Sequence, residues 1–490
     1  MKPGFRNRIM TSFVSAWILM LFWVLPPFVH EARHLCPVRP DGVQEVEAIP
    51  AFARKYGFSC EICHSPSFPK LNDFGNRFRD RGFQTETDKD SPALDAPIGY
   101  WPISLRTTVG YNSAHLEQAG QKITSGSFGF TGLDILSFGL LEKNVSFGIV
   151  YTPGLKSSGF NAQPSPTDSD LEAAFVQLSN VQRFIGLPEK SHLMNLKVGK
   201  FEPDIPFSEH RSPTIGTPFV MYHYQPGIPY TTSLSGLAVQ TYNNPDDYAL
   251  GGNQPGIQLS GMQDTPGAGT FRYALSGLST SNLNRGGSGG GHSTNFYGHV
   301  TQSIKGYGFS SGERIGVFGA AGNIPTAPND ACPTCNGVGE GEEPFSRVGA
   351  DVSATFHNQV NIFGAWMHAK DSQGMFSSQG IAAAQNSIWD GSFVEIDWVP
   401  LLPFLSETPN CLLAYRYDDI RNKQQGDSTF PKSFNDVDSH TLLLRYYPFA
   451  LDRGGIALHA EYNQFRDKGV AGDGGDQKGT MFLTGLDLAY

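Results

Sequence analysis

The chain has 490 residues, a formal net charge of −10 and only 17% charged residues. This negative charge argues against a nucleic-acid-binding protein, which needs a basic face. Past residue 100 there is no second long apolar run, so a helical membrane protein is excluded, while the low charged fraction suits a chain whose outer face meets lipid.

Residues 1–32 have the order of an export signal. Lys2, Arg6 and Arg8 precede the apolar stretch FVSAWILMLFWVLPPFV, and no acidic or basic residue lies between Arg8 and Glu31. The alternative is an uncleaved membrane anchor, because the run at 9–30 is long enough to span a bilayer. Both interpretations take the rest of the chain out of the cytoplasm.

The stretch GFSCEICHSP, residues 57–66, places Cys60 and Cys63 three positions apart with His64 directly after them. A shuffled chain of this composition would contain a C-x-x-C-H run only roughly 0.002 times, so chance is a poor explanation. Zinc, a redox dithiol and covalent haem are the three chemistries that use such a pair.

Covalent haem fits the motif better than the other two chemistries. A zinc site needs a second ligand pair, and the other C-x-x-C, at 332–335, has no histidine behind it. A redox dithiol would open a helix within a βαβ pattern, which the neighbouring sequence lacks. The motif therefore predicts one haem c, attached at Cys60 and Cys63, with His64 as the axial iron ligand.

The sixth iron ligand is left open by the sequence. It is absent, comes from His34 upstream, or comes from the barrel, where the options are His192, Met194, Met221 and His223. Three carboxylates follow a predicted strand: Glu202, Asp204 and Glu209. If they face the barrel lumen, they would concentrate a hard divalent cation there; the alternative is that they are ordinary polar residues of the lumen lining.

The remaining cysteines are assigned structural states or none. Cys332 and Cys335 are expected to form a small disulfide, with metal capture as the alternative, and Cys411 to be a small apolar residue. Cys36 receives no role.

Beyond residue 100 the sequence alternates between apolar and polar residues in short segments. In PISLRTTVGY, residues 102–111, the odd positions are mainly apolar and the even positions are small or polar. The pattern recurs at 196–201, 347–356, 361–368, 393–399, 411–418 and 456–465. We count about sixteen such segments, each with room for a membrane-spanning strand and a turn.

The chain ends on a strand pattern typical of outer-membrane barrels. In MFLTGLDLAY one face carries Phe482, Leu486, Leu488 and the terminal Tyr490. The alternative is the last strand of a soluble β protein. Tight connections at 142–144 and 357–359 are predicted periplasmic turns, and Gly-rich pieces at 280–293, 322–345 and 466–479 are predicted outer loops.

The segment IPAFARKYGFSCEICHSPSFPKLNDFGNRFRDRGF, residues 49–83, resembles the N-terminal cytochrome part of the fused cytochrome–porin family, whose best-known members are outer-membrane iron oxidases. LKVGKFEPDIPFSEHRSPT, residues 196–214, is similar to a strand and loop of that family's porin part. The resemblance in overall plan begins at about residue 48 and implies one haem c, a plug-like N-terminal domain and electron entry from outside the cell.

These observations predict a mainly β protein: a small N-terminal c-type cytochrome segment followed by an outer-membrane antiparallel β-barrel of about sixteen strands. The expected domains are an export signal at 1–32, a plug-like monohaem cytochrome c segment at 33–95 and a porin-like barrel at 96–490.

The expected function is electron transfer in the bacterial outer membrane. Electrons would pass from extracellular ferrous iron, or another surface reductant, through the haem to a periplasmic cytochrome or cupredoxin; ferrous iron as donor is implied by the resemblance alone. The other expected partner is outer-membrane lipid, and no catalytic side chain is nominated because no substrate atoms move. The alternatives are a haem-bearing porin with another donor or a passive transport role, and a soluble β-rich periplasmic cytochrome.

Overall fold

The computed structural model describes residues 50–58, 60–64, 69–87, 90–92, 95, 102–152, 171–188, 192–230, 238–246, 248, 250–265, 269–279, 294–306, 310–326, 342–400, 411–451 and 454–489. The predicted export signal, His34, Cys36, Cys332 and Cys335 lie outside these residues. Among the described residues, no helix is both long and apolar enough to cross a membrane.

Sixteen antiparallel strands in the described chain form one closed barrel, each strand pairing with its neighbours in sequence and β1 with β16. The strands are β1 (Ile103–Gln118), β2 (Gln121–Glu142), β3 (Val145–Tyr151), β4 (Leu171–Leu178), β5 (Asn195–Phe201), β6 (Gln254–Thr265), β7 (Gly269–Ser279), β8 (Thr294–Lys305), β9 (Ser310–Pro325), β10 (Glu342–Phe356), β11 (Val360–Asp371), β12 (Ser387–Trp398), β13 (Cys411–Gln424), β14 (Val437–Leu451), β15 (Gly454–Asp467) and β16 (Gln477–Ala489). The prediction of an antiparallel barrel of about sixteen strands is confirmed.

The alternation in the sequence separates the two faces of the wall. In β1, Ile103 and Tyr111 are exposed on the outer face, whereas Ser104 and Thr108 are buried on the inner face. Leu486 in β16 is exposed and Leu483 is buried. Successive side chains point to opposite faces of a strand, so period-2 alternation gives the barrel an apolar outside and a mainly polar inside.

One mouth of the barrel, here called the short-turn mouth, carries two tight connections, at 143–144 and 357–359, while the two-residue β1–β2 turn at 119–120 lies at the other mouth. Asn144, His357 and Asn358 adopt positive φ angles of 64°, 50° and 53°, which short polar residues tolerate best. These two predicted turns are confirmed.

Strands extend into two of the predicted outer loops. β9 runs to Pro325 and β10 begins at Glu342, while β15 runs to Asp467 and β16 begins at Gln477, so only 326–341 and 468–476 connect these strands. Backbone pairing continues beyond the apolar belt, as at Pro325 with Glu342, and this pairing needs no apolar side chains. The third predicted loop, 280–293, lies outside the described residues.

In the described part of the chain, three short α-helices precede the barrel: α1 (Pro50–Tyr56), α2 (Cys60–Cys63) and α3 (Asp73–Asp80). We call described residues 50–87 the N-terminal segment. Its cytochrome nature and the domain boundaries at 32 and 95 remain predictions. Two more short helices lie in connections, α4 (Val220–His223) and α5 (Gln373–Ser378).

The described residues of the connection between β5 and β6, 202–230, 238–246, 248 and 250–253, fold into the barrel and are called the lumen loop. Arg314 of β9 donates to the Pro206 carbonyl at 2.7 Å, and Arg416 of β13 donates to the Thr217 carbonyl at 2.8 Å. Glu461 of β15 accepts from the Ile215 amide at 2.8 Å. Anchors on widely separated strands place the loop within the lumen.

Candidate functional site

The two cysteines of the motif lie on a single helical turn. Helix α2 begins at Cys60 and ends at Cys63, so both cysteines belong to one turn of helical backbone. Cys63 is a buried free thiol, and burial raises its pKa to about 11. A redox-active dithiol needs the opposite shift toward the thiolate, so this environment does not favour the dithiol hypothesis.

His64 follows α2 and is held in a fixed orientation. Its side chain is buried, and its Nδ1 lies 2.9 Å from the carbonyl oxygen of Pro69. Because a carbonyl oxygen only accepts, Nδ1 carries the proton and Nε2 carries the lone pair. Burial lowers the pKa of His64 to about 4, which keeps the imidazole neutral at pH 7.

This state of His64 matches the requirements of an iron ligand. Metal-binding histidines usually donate their second ring N–H to a carbonyl or carboxylate, which fixes both tautomer and ring orientation. The residues of the C-x-x-C-H motif therefore fit a covalent haem c: two cysteines on one turn and a neutral, oriented imidazole beside the second. Among the described residues, no three His, Cys, Asp or Glu side chains group as a metal site, which lends nothing to the zinc alternative.

Asn72 fastens the motif to helix α3. Its side-chain amide donates to the carbonyl oxygens of Ile62 at 3.1 Å and His64 at 3.0 Å, while its backbone N–H donates to the Cys63 carbonyl at 3.0 Å. Its side-chain oxygen caps α3 by accepting from the Gly75 amide at 2.9 Å. One residue thus satisfies three carbonyl groups of the motif and starts the next helix.

Gly75 lets α3 approach the motif closely. A Cβ at this position would lie 2.0 Å from the carbonyl oxygen of Cys63, a distance that no side chain can occupy. Only glycine, which has no Cβ, fits at this contact.

Aromatic rings form the apolar surroundings of the motif. Phe52, Tyr56, Phe78 and Phe83 are buried together, and Phe58 packs against both this cluster and Cys63. The rings of Phe52 and Phe78 meet edge to face with centroids 5.1 Å apart. Low-polarity surroundings of this kind are one means by which a protein tunes a haem.

Charged side chains dock the N-terminal segment to the barrel. Arg272 of β7 donates to Asp80 at 2.6 Å, and Arg79 donates to Asp204 of the lumen loop at 2.7 Å. Gln84 accepts from the Asn144 amide at 3.0 Å, at a turn of the short-turn mouth. The segment therefore lies inside this mouth.

Lys70, the residue that follows Pro69, makes a fourth contact between the N-terminal segment and the barrel. The Lys70 ammonium pairs with Asp397 of β12, lies 3.2 Å from Asn361 Oδ1 of β11 and stands 3.4 Å above the centre of the Phe363 ring. Asn361 and Asp397 occupy the short-turn ends of their strands. We call these three wall residues the lysine socket.

Three of the five residues predicted as possible sixth ligands make contacts of their own in the described structure. His192 Nε2 lies 3.0 Å from Glu86 Oε1, and His223 Nε2 lies 2.6 Å from Glu209 Oε2. Met221 is buried in the lumen loop and packs closely against Gly391 of β12. A Cβ added at Gly391 would lie 2.7 Å from the Cβ of Met221. The sixth ligand stays a prediction.

The three candidate carboxylates lie in the lumen loop, but their charges are compensated by other groups of the protein. Glu202 accepts from Arg211 at 3.1 Å, and Asp204 accepts from Arg79. Burial disfavours the charge of Asp204, but Arg272 and Arg79 outweigh burial and hold the pKa of Asp204 well below its usual range. These contacts make the carboxylates anchors of the loop and lend nothing to the cation-concentrating alternative.

The sequence did not reveal Asn72, Lys70 or the lysine socket as parts of the site. Asn72 stands three residues before Gly75, a spacing typical of a helix N-cap, so its capping role had a signal. The lysine socket had none, because 327 positions separate Lys70 from Asp397.

Comparison with known proteins identifies the fold of the barrel. Neither a family model nor a curated protein sequence matches the chain. The structure is similar to that of Pseudomonas putida OprB, with a TM-score of 0.50 and 11% identity over 79% of this chain and 94% of OprB. It is also similar to the outer membrane channel DcaP of Acinetobacter baumannii, with a TM-score of 0.42 and 11% identity over 78% of this chain and 96% of DcaP.

The protein is located in a bacterial outer membrane. A closed antiparallel barrel leaves no unpaired strand edge, and the apolar outer face meets lipid. The predicted location and porin-like barrel are confirmed, and the soluble periplasmic alternative is wrong.

Proposed function

We propose that the protein carries one haem c and transfers single electrons across the outer membrane. The observation that carries the proposal is the C-x-x-C-H motif in the short-turn mouth, with His64 neutral and oriented by Pro69. Cys60 and Cys63 would attach the haem, and His64 would bind its iron through Nε2. The bound group supplies one-electron redox chemistry.

The protein's own residues hold this site in place. Pro69 and Asn72 fix His64 and its backbone. Phe58 packs against both the aromatic cluster and the buried pair of Ala53 and Cys63. The pairs made by Arg79 and Asp80 hold the segment against the barrel.

A barrel gives such a site access to both compartments. Outer-membrane barrels turn their short connections to the periplasm and their long ones outward, so the short-turn mouth would face a periplasmic cytochrome or cupredoxin. An insoluble reductant outside is separated from the periplasm by an apolar band ~25 Å tall. A redox centre inside the wall shortens that gap. Extracellular ferrous iron is the first donor to test, on the strength of the family resemblance.

Passive transport is the second candidate, and the fold comparison favours it. OprB shares the barrel at a TM-score of 0.50, and the comparisons supply no support for electron transfer. The contacts of the lumen loop with β9, β13 and β15 argue against a wide pore, because they hold the loop inside the barrel. A third possibility is a haem-bearing porin that accepts electrons from a donor other than ferrous iron.

Two measurements separate these functions. A pyridine haemochrome assay on the purified full-length protein should give about one haem per chain, and the Cys60→Ala, Cys63→Ala double variant should give none. Stopped-flow mixing with ferrous salt should reduce the wild-type haem, and a periplasmic cytochrome or cupredoxin should then reoxidise it. His64→Ala should keep the attachment but lose most of this transfer.

The outcomes are distinct. Absence of haem in the wild type would remove the electron-transfer proposal. A haem that stays oxidised with ferrous iron at every pH, but is reduced by small-molecule reductants, would remove iron as donor. Rapid swelling of protein-loaded liposomes in small sugars, together with either result, would establish passive transport.

A further inference from the structure

We infer that Lys70 is a positioning residue through which the barrel wall orients His64. The inference rests on the proposed haem site and extends it to a contact between the N-terminal segment and strands β11 and β12. It gives the barrel a part in setting the properties of the iron ligand, beyond enclosing it.

The lysine socket is built to hold one ammonium group. The side-chain amide of Asn361 donates to Ser353 Oγ at 3.1 Å and Thr355 Oγ1 at 2.9 Å, which turns its oxygen toward Lys70. Asp397 is buried and supplies the opposite charge, and the face of the Phe363 ring attracts the cation. Three different interactions converge on Lys70.

The wall carries two buried carboxyl side chains close together at this place, Glu395 and Asp397. Both oxygens of Glu395 and one of Asp397 are buried without hydrogen-bond partners among the described residues. Arg416 lies 3.7 Å from Glu395 but donates to Asp418 at 2.8 Å, so among the described residues Lys70 is the cation that pairs directly with Asp397. Removing one partner of a buried ion pair is costly because the other charge stays buried.

Lys70 sits in the middle of the chain stretch that holds His64. The residue before it, Pro69, accepts the His64 Nδ1 hydrogen bond, and the residue after it, Leu71, forms a β-bridge with His64. Asn72 then binds the carbonyls of Cys63 and His64. A fixed Lys70 therefore fixes the carbonyl that orients the imidazole.

The test compares Lys70→Met and Asp397→Asn, alone and combined, in the full-length protein in detergent. Lys55→Met is the matched control, because the contacts of the Lys55 ammonium, with the Ser91 carbonyl and the Tyr56 ring, are made to residues that precede the barrel. The first measurement is hydrogen exchange of the Asn72 and Gly75 amides, which needs no haem. The second is the midpoint potential of the attached haem.

A positioning role predicts the same change in both single variants. We expect exchange at Asn72 and Gly75 to accelerate about tenfold or more in each, with little further change in the double variant, and no acceleration in Lys55→Met. The midpoint potential should rise in both, because a loosened Pro69 contact makes His64 a weaker donor to iron.

A purely electrostatic role predicts opposite changes. Loss of the Lys70 charge would lower the midpoint potential and loss of the Asp397 charge would raise it, with unchanged amide exchange. That result overturns the inference, as does unchanged exchange in Asp397→Asn even where Lys70→Met fails to fold. Should the wild type lack haem, the proposed function fails, and amide exchange alone decides the inference.

Discussion

Asn72 joins two local structures that would otherwise be separate, the C-x-x-C-H turn and helix α3. Its oxygen caps the helix and its amide group binds the carbonyls of Ile62 and His64. A cap contributes about 1 kcal/mol, and the part-buried His64 carbonyl left without a donor costs about 1–3 kcal/mol, whereas the bond to the Ile62 carbonyl is exposed and adds little. The second function of Asn72 therefore outweighs the first.

Two substitutions of Asn72 separate these functions. Asn72→Ser keeps an oxygen that caps α3 but removes the amide donor, and Asn72→Ala removes both. We expect Asn72→Ser to lose most of the local stability that Asn72→Ala loses, about 2–3 kcal/mol, measured by hydrogen exchange of the 60–80 amides. A stability close to wild type in Asn72→Ser would show that capping is the main role.

At the scale of elements, the lumen loop is held by ion pairs that differ in how far their side chains are exposed to solvent. Asp204 is enclosed between Arg79 and Arg272, whereas the side chain of His223, which pairs with Glu209, is 42% exposed. Burial disfavours both charges of the second pair, but each partner outweighs it: His223 lowers the pKa of Glu209, and Glu209 raises the pKa of His223.

The pH dependence of the Glu209–His223 pair follows from these two directions. The lowered pKa of Glu209 gives stability that is complete above its ordinary value of 4.5 and is lost as pH falls through the folded-state value. The raised pKa of His223 gives stability that is complete below its ordinary value of 6.5 and is lost as pH rises through the folded-state value. The pair is therefore strongest between pH 4.5 and 6.5.

His223→Gln should destabilise the protein most near the middle of that window and little at alkaline pH. Because His223 is partly exposed and screened by solvent, we expect a loss of at most about 1 kcal/mol. Thermal unfolding in detergent across pH measures it, and the same substitution in a Glu209→Gln background is the control. A loss of equal size at every pH, or one that persists in Glu209→Gln, would contradict the charged pair.

At the scale of the whole molecule, the outer face of the barrel makes depth in the membrane measurable. Val352 of β10 is 53% exposed and flanked on its face by apolar residues, whereas Ile304 stands near the short-turn end of β8 and is 40% exposed. Both side chains point outward from the barrel. Their surroundings differ mainly in distance from the membrane edge.

Arginine should therefore cost different amounts at the two positions. We expect Val352→Arg to lose about 2–4 kcal/mol of stability and Ile304→Arg about 0–1 kcal/mol, because the cost of a lipid-facing charge falls toward the interface. The stability of the two variants can be compared on gels by the temperature at which the folded band converts to the unfolded band. Equal costs would mean that the apolar belt does not end between these positions.

Local patterns predicted the barrel and the motif because both depend on short-range spacing. Alternation along β1 or β10 reports which face meets lipid, and the spacing of Cys60, Cys63 and His64 is dictated by the haem chemistry. Strand ends were less accurate, as at Pro325, because backbone pairing continues where the apolar pattern has ended. The lumen loop and the lysine socket depend on pairs such as Ile215 with Glu461, 246 positions apart, which no local pattern contains.

The N-terminal segment is covalently linked to the barrel that it binds, and this link affects the strength of their association. The segment and β1 belong to one chain, and Ser104 at the start of β1 lies at the same mouth, where it accepts a hydrogen bond from the Ala51 amide at 3.3 Å. The segment is therefore a tethered ligand of its own barrel. A short tether gives an effective concentration in the millimolar range, so contacts too weak to capture a free domain keep this one seated. Release of one contact is followed by rapid rebinding, and protein concentration plays no part in it.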